Sequence, residues 1–101
     1  MAEVRVQVLY SSGPSFDHDY YLKTHMPLVS SSWTPYGLVG WEIITFPADA
    51  PYQVQAILKW KSMEDFNAAA TSDAAQAVFG DIKNFTTAEP TLLKGSVVAS
   101  A

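Results

Sequence analysis

The chain has 101 residues, of which 49% are hydrophobic and 16% charged, and its formal net charge is −4. This length predicts one domain that spans residues 1–101, and the apolar content excludes a disordered chain. No apolar run approaches the ~20 residues that a membrane span needs. The Lys and Arg residues are few and scattered, so we expect neither a nucleic-acid partner nor an acidic membrane surface.

The chain contains no cysteine, which excludes disulfides, thiolate nucleophiles and zinc–thiolate sites. The first five residues show no export signal, so we expect a cytoplasmic protein. The sequence also lacks a glycine-rich phosphate loop, and the two histidines do not form an evident metal site. We therefore expect a protein that works without a cofactor or metal.

The predicted elements begin with a strand over residues 3–10, where β-branched residues alternate with others. A helix follows it, with Ser15 or Asp17 as its N-cap. We expect this helix to end or kink at Pro27, because proline lacks a backbone donor and disfavours helix in the residue before it.

Residues 37–46 and 52–60 are predicted as two strands joined by a short proline-bounded loop, which indicates an antiparallel hairpin. In the first of these strands, alternation places Val39, Trp41 and Ile43 on one face. Leu38, Ile44 and Phe46 are then on the other face, so this strand is apolar on both sides.

The second half of the chain continues with a capping signature at Ser62, which predicts a helix through about Ala70. Residues 71–73 cap a continuation through roughly Phe79. A last strand is predicted over residues 92–98, after Pro90.

The resulting order, β-α-β-β-α-β, is typical of an α+β ferredoxin-like sandwich with an antiparallel sheet. Helices cover one face of such a sheet. Where the strands are apolar on both faces, the second face must also be shielded from water. A second copy of the same sheet is the simplest cover. We therefore expect a homodimer built as a dimeric α+β barrel.

The candidate chemical residues lie mainly on the first helix, where His18, Tyr21 and His25 have the spacing of one helical face. His25 is the strongest candidate, because imidazole exchanges protons near neutral pH without a metal or cofactor. It is alternatively a cap of the helix C-terminus. His18 is a substrate-binding candidate or a solvated surface residue, and Tyr21 is a hydrogen-bond donor or a packing residue.

A second group of candidates is aromatic and would line a cavity for a flat organic ligand, because such cavities are mostly apolar. Its alternative is plain core packing. Asp81 and Phe85, near Asn84, are further substrate-binding candidates. In the alternative interpretation, this segment is only a turn at the end of a helix, with a side chain that fills the core. The aromatic candidates are Trp33, Tyr36, Trp41 and Trp60.

Two segments resemble the EthD family of the dimeric α+β barrel superfamily. The element His25-Met26-Pro27-Leu28, preceded by Phe16, Tyr20 and Tyr21, resembles the family's H-x-P-L element after an aromatic-rich helix. Residues 81–86, Asp-Ile-Lys-Asn-Phe-Thr, are similar to its D-x-x-N-F-T segment. The resemblance spans nearly the whole chain. Many relatives carry tryptophan at the position of Tyr21, so a role of its hydroxyl would be local to this protein.

These observations favour a cofactor-independent enzyme that acts on an aromatic or polyketide-like small molecule by proton transfer, such as isomerisation, cyclisation, dehydration or decarboxylation. His25 would be the general acid/base, with Tyr21 as a hydrogen-bond donor. One alternative is a non-catalytic ligand-binding or accessory protein of a catabolic pathway. The resemblance also leaves open a cofactor-free or haem-using monooxygenase.

Overall fold

The centre of the protein is a four-stranded antiparallel sheet, seen in a computed structural model that describes residues 3–101. The prediction on the export signal includes residues 1 and 2, which lie outside this range. The strand order β2-β3-β1-β4 confirms the predicted α+β ferredoxin-like sandwich. The strands are β1 (Val4–Ser11), β2 (Leu38–Thr45), β3 (Tyr52–Trp60) and β4 (Pro90–Ser96).

The connections between strands form two helical segments that pack next to each other on one face of this sheet. They are called the first and second helical layers here. The first comprises α1 (His18–Tyr20), a π-helical turn (Tyr21–His25), α2 (Met26–Trp33) and a 3-10 turn (Thr34–Tyr36). The second comprises α3 (Met63–Ala70), α4 (Asp73–Gly80) and a 3-10 turn (Ile82–Asn84). No helix within residues 3–101 is long and apolar enough to cross a membrane.

One hydrophobic core lies between the sheet and the helices. The predicted alternation in β1 and β3 holds, because every second side chain of these strands faces the helices. Full burial of one large apolar side chain stabilises a fold by ~1.5–3 kcal/mol. The largest side chains that are almost fully buried are Trp33, Trp60, Tyr10, Tyr21 and Met26.

The first helical layer differs from one of the two predicted outcomes, because the helix does not end at Pro27. Asp17 caps α1 by accepting a hydrogen bond from the Tyr20 N–H at 3.1 Å. The next turn is wider, and the Met26 N–H bonds to the Tyr21 carbonyl. Pro27 then lies in the first turn of α2, where a missing N–H is tolerated. The wide turn therefore joins two helices that the sequence pattern separates.

Strand β2 also departs from the prediction. Leu38 pairs with Trp60 and Gly40 with Lys59, so Val39 is an extra, bulged residue. Such a residue reverses the alternation that follows it. The predicted faces are therefore wrong for Leu38 and Val39: Leu38 is buried on the helix side with Trp41, whereas Val39 is 57% exposed.

The second half of the chain follows the predicted elements closely. The hairpin of β2 and β3 forms as expected, and Ser62 caps α3 by accepting from the Asp65 N–H at 3.1 Å. The last strand begins at Pro90, two residues earlier than predicted, and ends at Ser96.

The sheet face away from the helices is called the open face here, and within residues 3–101 no helix covers it. Polar and apolar residues alternate on it, so it is apolar in places, as predicted for β2, but not throughout. One row across the strands, read from the pairing register, is Leu93, Gln7, Ile57 and Glu42. The open face includes Arg5, Gln7, Leu9, Gly40, Glu42, Ile44, Gln55, Ile57, Lys59, Thr91, Leu93 and Gly95.

Candidate functional site

His25 ends the π-helical turn, and its side chain points into the protein, with 4% of the residue exposed. The imidazole stacks on the Tyr21 ring at a centroid distance of 5.6 Å and contacts the Phe85 ring at 4.6 Å. Its Nδ1 lies 2.9 Å from Oδ2 of Asp81. The alternative interpretation of His25 as a C-terminal helix cap is wrong, because the helix continues and the side chain pairs with Asp81 instead.

Asp81 lies between α4 and the 3-10 turn that follows, and its carboxylate joins three other side chains. Oδ1 accepts hydrogen bonds from the Tyr20 hydroxyl at 2.5 Å and from Asn84 Nδ2 at 2.8 Å. The short turn brings Asn84 back over Asp81, and the Asn84 N–H bonds to the Asp81 carbonyl at 3.0 Å. The four residues Tyr20, His25, Asp81 and Asn84 are called the Asp81 cluster below.

The pKa values within this cluster favour a neutral imidazole beside a charged carboxylate. Burial lowers the pKa of His25, and the hydrogen bond and charge of Asp81 oppose this effect only in part. Burial raises the pKa of Asp81, but hydrogen bonds from Tyr20, Asn84 and His25 outweigh it, so that this pKa lies below its ordinary value. The hydrogen bond to Asp81 raises the pKa of Tyr20. Near neutral pH the carboxylate is therefore the charged group.

Tyr21, the predicted hydrogen-bond donor, is 1% exposed and packs among aromatic rings. Its ring contacts those of Phe16 and Phe85, each at 4.9 Å. Burial strongly raises the pKa of its hydroxyl. The tyrosine that bonds to Asp81 is its neighbour Tyr20, which sequence reasoning quoted in the aromatic motif but did not place in the site.

His18 is exposed, whereas Tyr21 and His25 are buried, so the three residues do not share one face. The predicted neighbourhood holds for Tyr21 and His25, whose rings stack across the π-helical turn, and fails for His18 at the exposed start of α1. The His18 ring contacts Phe16 at 4.9 Å, at the start of the helix. Its role in substrate binding stays a prediction.

The four aromatic candidates do not come together around His25. Trp33 and Trp60 contact each other at 5.6 Å in a separate part of the core, next to Phe66. Trp41 donates from Nε1 to the Ser30 hydroxyl at 2.8 Å, and Tyr36 is 39% exposed. Their role in substrate binding also stays a prediction.

A surface cleft of about 370 Å³ lies beside the Asp81 cluster, and it is called the Phe85 cleft here. Its volume is within the range of small-molecule sites, ~300–1,000 Å³. Its wall includes Asn84, a member of the cluster, and Phe85, which contacts the His25 ring, whereas His25 itself is not among the lining residues. The lining residues are Ser15, Phe16, Asp17, Lys83, Asn84, Phe85, Thr86 and Thr87.

Hydrogen bonds fasten the two walls of the Phe85 cleft. The Asp17 N–H donates to the Phe85 carbonyl at 2.8 Å, and the Thr86 hydroxyl donates to the Ser15 carbonyl at 2.8 Å. The two motif segments, far apart in sequence, thus form one site. In the described part of the chain, no group of three or more His, Cys, Asp or Glu residues is arranged to hold a metal ion.

Comparison with known proteins places the chain among ferredoxin-like α+β proteins. A crystal structure of an EthD-like protein from Ralstonia eutropha JMP134 is 27% identical, with a TM-score of 0.85 over 100% of this chain and 96% of its own. This match agrees with the resemblance to the EthD family that the two motifs carry. The sequence matches no protein-family model and no curated protein.

Two more distant structures agree in fold. A dimeric ferredoxin-like protein from an uncultured marine organism is 15% identical, with a TM-score of 0.71 and full coverage of both chains. SnoaB, a cofactor-independent oxygenase from Streptomyces nogalater, is 13% identical, with a TM-score of 0.64 over 92% of each chain.

Proposed function

We propose that the protein is a cofactor-independent enzyme in which His25 transfers a proton to or from a small aromatic or polyketide-like substrate. The observation that carries this proposal is the buried imidazole whose Nδ1 lies 2.9 Å from the Asp81 carboxylate. A neutral imidazole can accept a proton, and an adjacent carboxylate stabilises the imidazolium that results. Phe16 and Phe85 in the lining of the Phe85 cleft offer aromatic contacts to a flat organic ligand, and the other six lining residues are polar or charged.

The proposed elementary step is removal of a proton from a carbon next to a carbonyl group. The C–H bond breaks, its electron pair remains on the substrate as an enolate, and the proton goes to His25. Return of the proton from His25 to another carbon or oxygen atom of the substrate completes an isomerisation. In a cyclisation, the enolate carbon attacks a second carbonyl group, and the oxygen of that group takes the proton back from His25. Neither outcome requires an oxidant or a reductant.

Exchange of hydrogen for deuterium tests this step before the natural substrate is identified. Wild-type protein in D₂O is incubated with a panel of enolisable aryl ketones and aryl diketones, and ¹H NMR follows the loss of the α-proton signal. General acid–base catalysis by one group contributes ~10²–10⁴-fold in rate. We therefore expect His25→Gln to lower the exchange rate by at least ~10²-fold.

The matched control is Lys23→Gln, an exposed position in the same π-helical turn, which should exchange at the wild-type rate. Circular dichroism shows that each variant is folded. A His25→Gln protein that is folded and exchanges as fast as the wild type contradicts the proposal.

A second candidate function is a non-catalytic ligand-binding or accessory protein. The observation in its favour is the 4% exposure of His25, which does not line the Phe85 cleft. This candidate predicts that panel compounds raise the melting temperature of wild type and of His25→Gln equally, without exchange. The likeness to SnoaB adds a third outcome, oxygen consumption with an aromatic substrate, which an oxygen electrode measures.

We also propose that the protein is a homodimer in the cytoplasm, with the open faces of two copies packed together. Apolar residues on this face support the proposal, and they include Leu9, Ile44, Ile57 and Leu93. The dimeric ferredoxin-like neighbour is consistent with it. A standard stable interface buries ~800 Å² per partner.

A further inference from the structure

We propose that Asp81, oriented by Tyr20 and Asn84, holds His25 in the tautomer that carries its proton on Nδ1, which makes Nε2 the reacting nitrogen. The catalytic consequence rests on the proposed function, but the tautomer itself is a property of the free protein. Tyr20 and Asn84 are then positioning residues that act on the imidazole through Asp81.

The first step of the argument is an inventory of donors and acceptors. An ionised carboxylate only accepts hydrogen bonds, so each of its three short contacts must come from a donor. Tyr20 donates its hydroxyl proton and Asn84 donates an amide proton. The third contact, from Nδ1 of His25 at 2.9 Å, therefore requires a proton on Nδ1.

The second step concerns the orientation of the carboxylate. Both Tyr20 and Asn84 bond to Oδ1, at 2.5 and 2.8 Å, and they belong to different elements, α1 and the 3-10 turn. Because Oδ1 receives these two donors, Oδ2 is left to face His25. The side chain of Asp81 is 11% exposed, so little water competes for the position.

The third step concerns the imidazole ring. It lies against Tyr21 on one side and contacts Phe85 on another, which resists a ring flip that would exchange the two nitrogens. The titratable groups around the ring are Asp81, the Tyr20 hydroxyl bonded to it, and the Tyr21 hydroxyl. With one neutral tautomer selected, the lone pair available to a substrate is on Nε2.

Long-range ¹H–¹⁵N correlation spectra of the uniformly ¹⁵N-labelled protein test the proposal without a substrate. At a pH where His25 is neutral, we expect a pyrrole-type ¹⁵N shift at Nδ1 and a pyridine-type shift at Nε2. The spectrum of the wild-type protein is sufficient to test the proposed tautomer. A pyrrole-type shift at Nε2, or an equal mixture of the two tautomers, overturns the proposal.

The Asp81→Asn variant gives a second, opposite expectation. The Nδ2 of Asn84 donates a hydrogen bond, so the oxygen of the introduced amide must take the position of Oδ1. The NH₂ group of that amide then takes the position of Oδ2 and faces Nδ1 of His25. A donor facing Nδ1 requires an unprotonated nitrogen, so the tautomer should switch to a proton on Nε2. An unchanged tautomer in folded Asp81→Asn contradicts the role of Asp81.

Asp73→Asn, an exposed carboxylate in the first turn of α4, is the matched control and should keep the wild-type tautomer. The two proposals fail in distinguishable ways. If the tautomer switches as expected but no compound exchanges deuterium, the proposed function fails and the positioning of His25 stands. If the wild type carries its proton on Nε2, the positioning fails whatever the activity.

Discussion

At the scale of single residues, His25 and Asp81 make the folded state sensitive to acid. Both groups have a pKa in the folded protein that lies below the ordinary value, 6.5 for histidine and 3.8 for aspartate. The unfolded chain therefore binds more protons as the pH falls through these ordinary values. Protonation of His25 below pH 6.5 and of Asp81 below pH 3.8 favours unfolding.

We predict that the free energy of unfolding falls when the pH is lowered from about 7.5 to about 5, and that His25→Gln removes part of this fall. Urea unfolding of both proteins at the two pH values measures the effect. Lys23→Gln, which removes no histidine, should show the wild-type pH dependence. A fall of equal size in His25→Gln would assign the sensitivity to other groups.

The two sequence motifs predict many of the residues that belong to this site. The contacts between these residues do not follow from their spacing in the sequence. The two motifs contain all four residues of the Asp81 cluster, yet His25 and Asp81 are 56 positions apart in sequence. The choice of Tyr20 over Tyr21 depends on which side of the wide turn each ring faces. Local pattern gives no information on that turn, because it depends on packing against the other helical layer.

At the scale of elements, the connection between the first helical layer and β2 depends on one glycine. Gly37 has a φ of 118°, in the region that side chains rarely adopt, and it ends the 3-10 turn before β2. A Cβ atom at this position would collide with the Asp65 carboxylate of α3. The turn and α3 are thus packed as closely as glycine allows.

We predict that Gly37→Ala lowers the free energy of unfolding by at least about 1 kcal/mol, because a left-handed conformation alone costs ~1–2 kcal/mol with a side chain. Gly80→Ala is the control, since its φ is ordinary and no atom lies within 4 Å of the added Cβ. Chemical denaturation of the two variants measures the difference. Equal stability of both variants would contradict the close approach of Gly37 to α3.

Elements with a strong local pattern are the ones that sequence predicts well. Strand β3 and helix α3 have the predicted bounds, because one alternates without interruption and the other begins at a clear cap. The faces predicted for Leu38 and Val39 are wrong, and so is the alternative that the helix ends at Pro27. A bulge depends on the partner strand, and a proline within a continuous helix depends on a wide turn before it, so neither is visible in a single segment.

At the scale of the whole molecule, the prediction concerns self-association through the open face. Ile57 lies in the middle of this face, between Gln7 and Glu42 on the neighbouring strands. In a symmetric dimer, Ile57→Lys places a charge in the centre of the interface. We predict that the wild type is a dimer at micromolar concentration and that Ile57→Lys is a monomer, as measured by multi-angle light scattering.

Leu22→Lys adds the same charge at an exposed position of the helical layer and should remain dimeric. A monomeric wild type would remove the proposed partner of the open face. A dimeric Ile57→Lys would place the contact elsewhere, for example along the exposed edge of β4.

The hydrogen bond between Tyr20 and Asp81 closes a loop of 61 residues. Long loops cost more conformational entropy to close than the short hairpin of β2 and β3, and contacts between distant residues form slowly. This bond also requires that the two helical layers have docked against each other, because its two residues belong to different layers. A newly made or partly unfolded chain has the imidazole but lacks its aligned carboxylate, so the proton transfer that we propose requires a folded molecule.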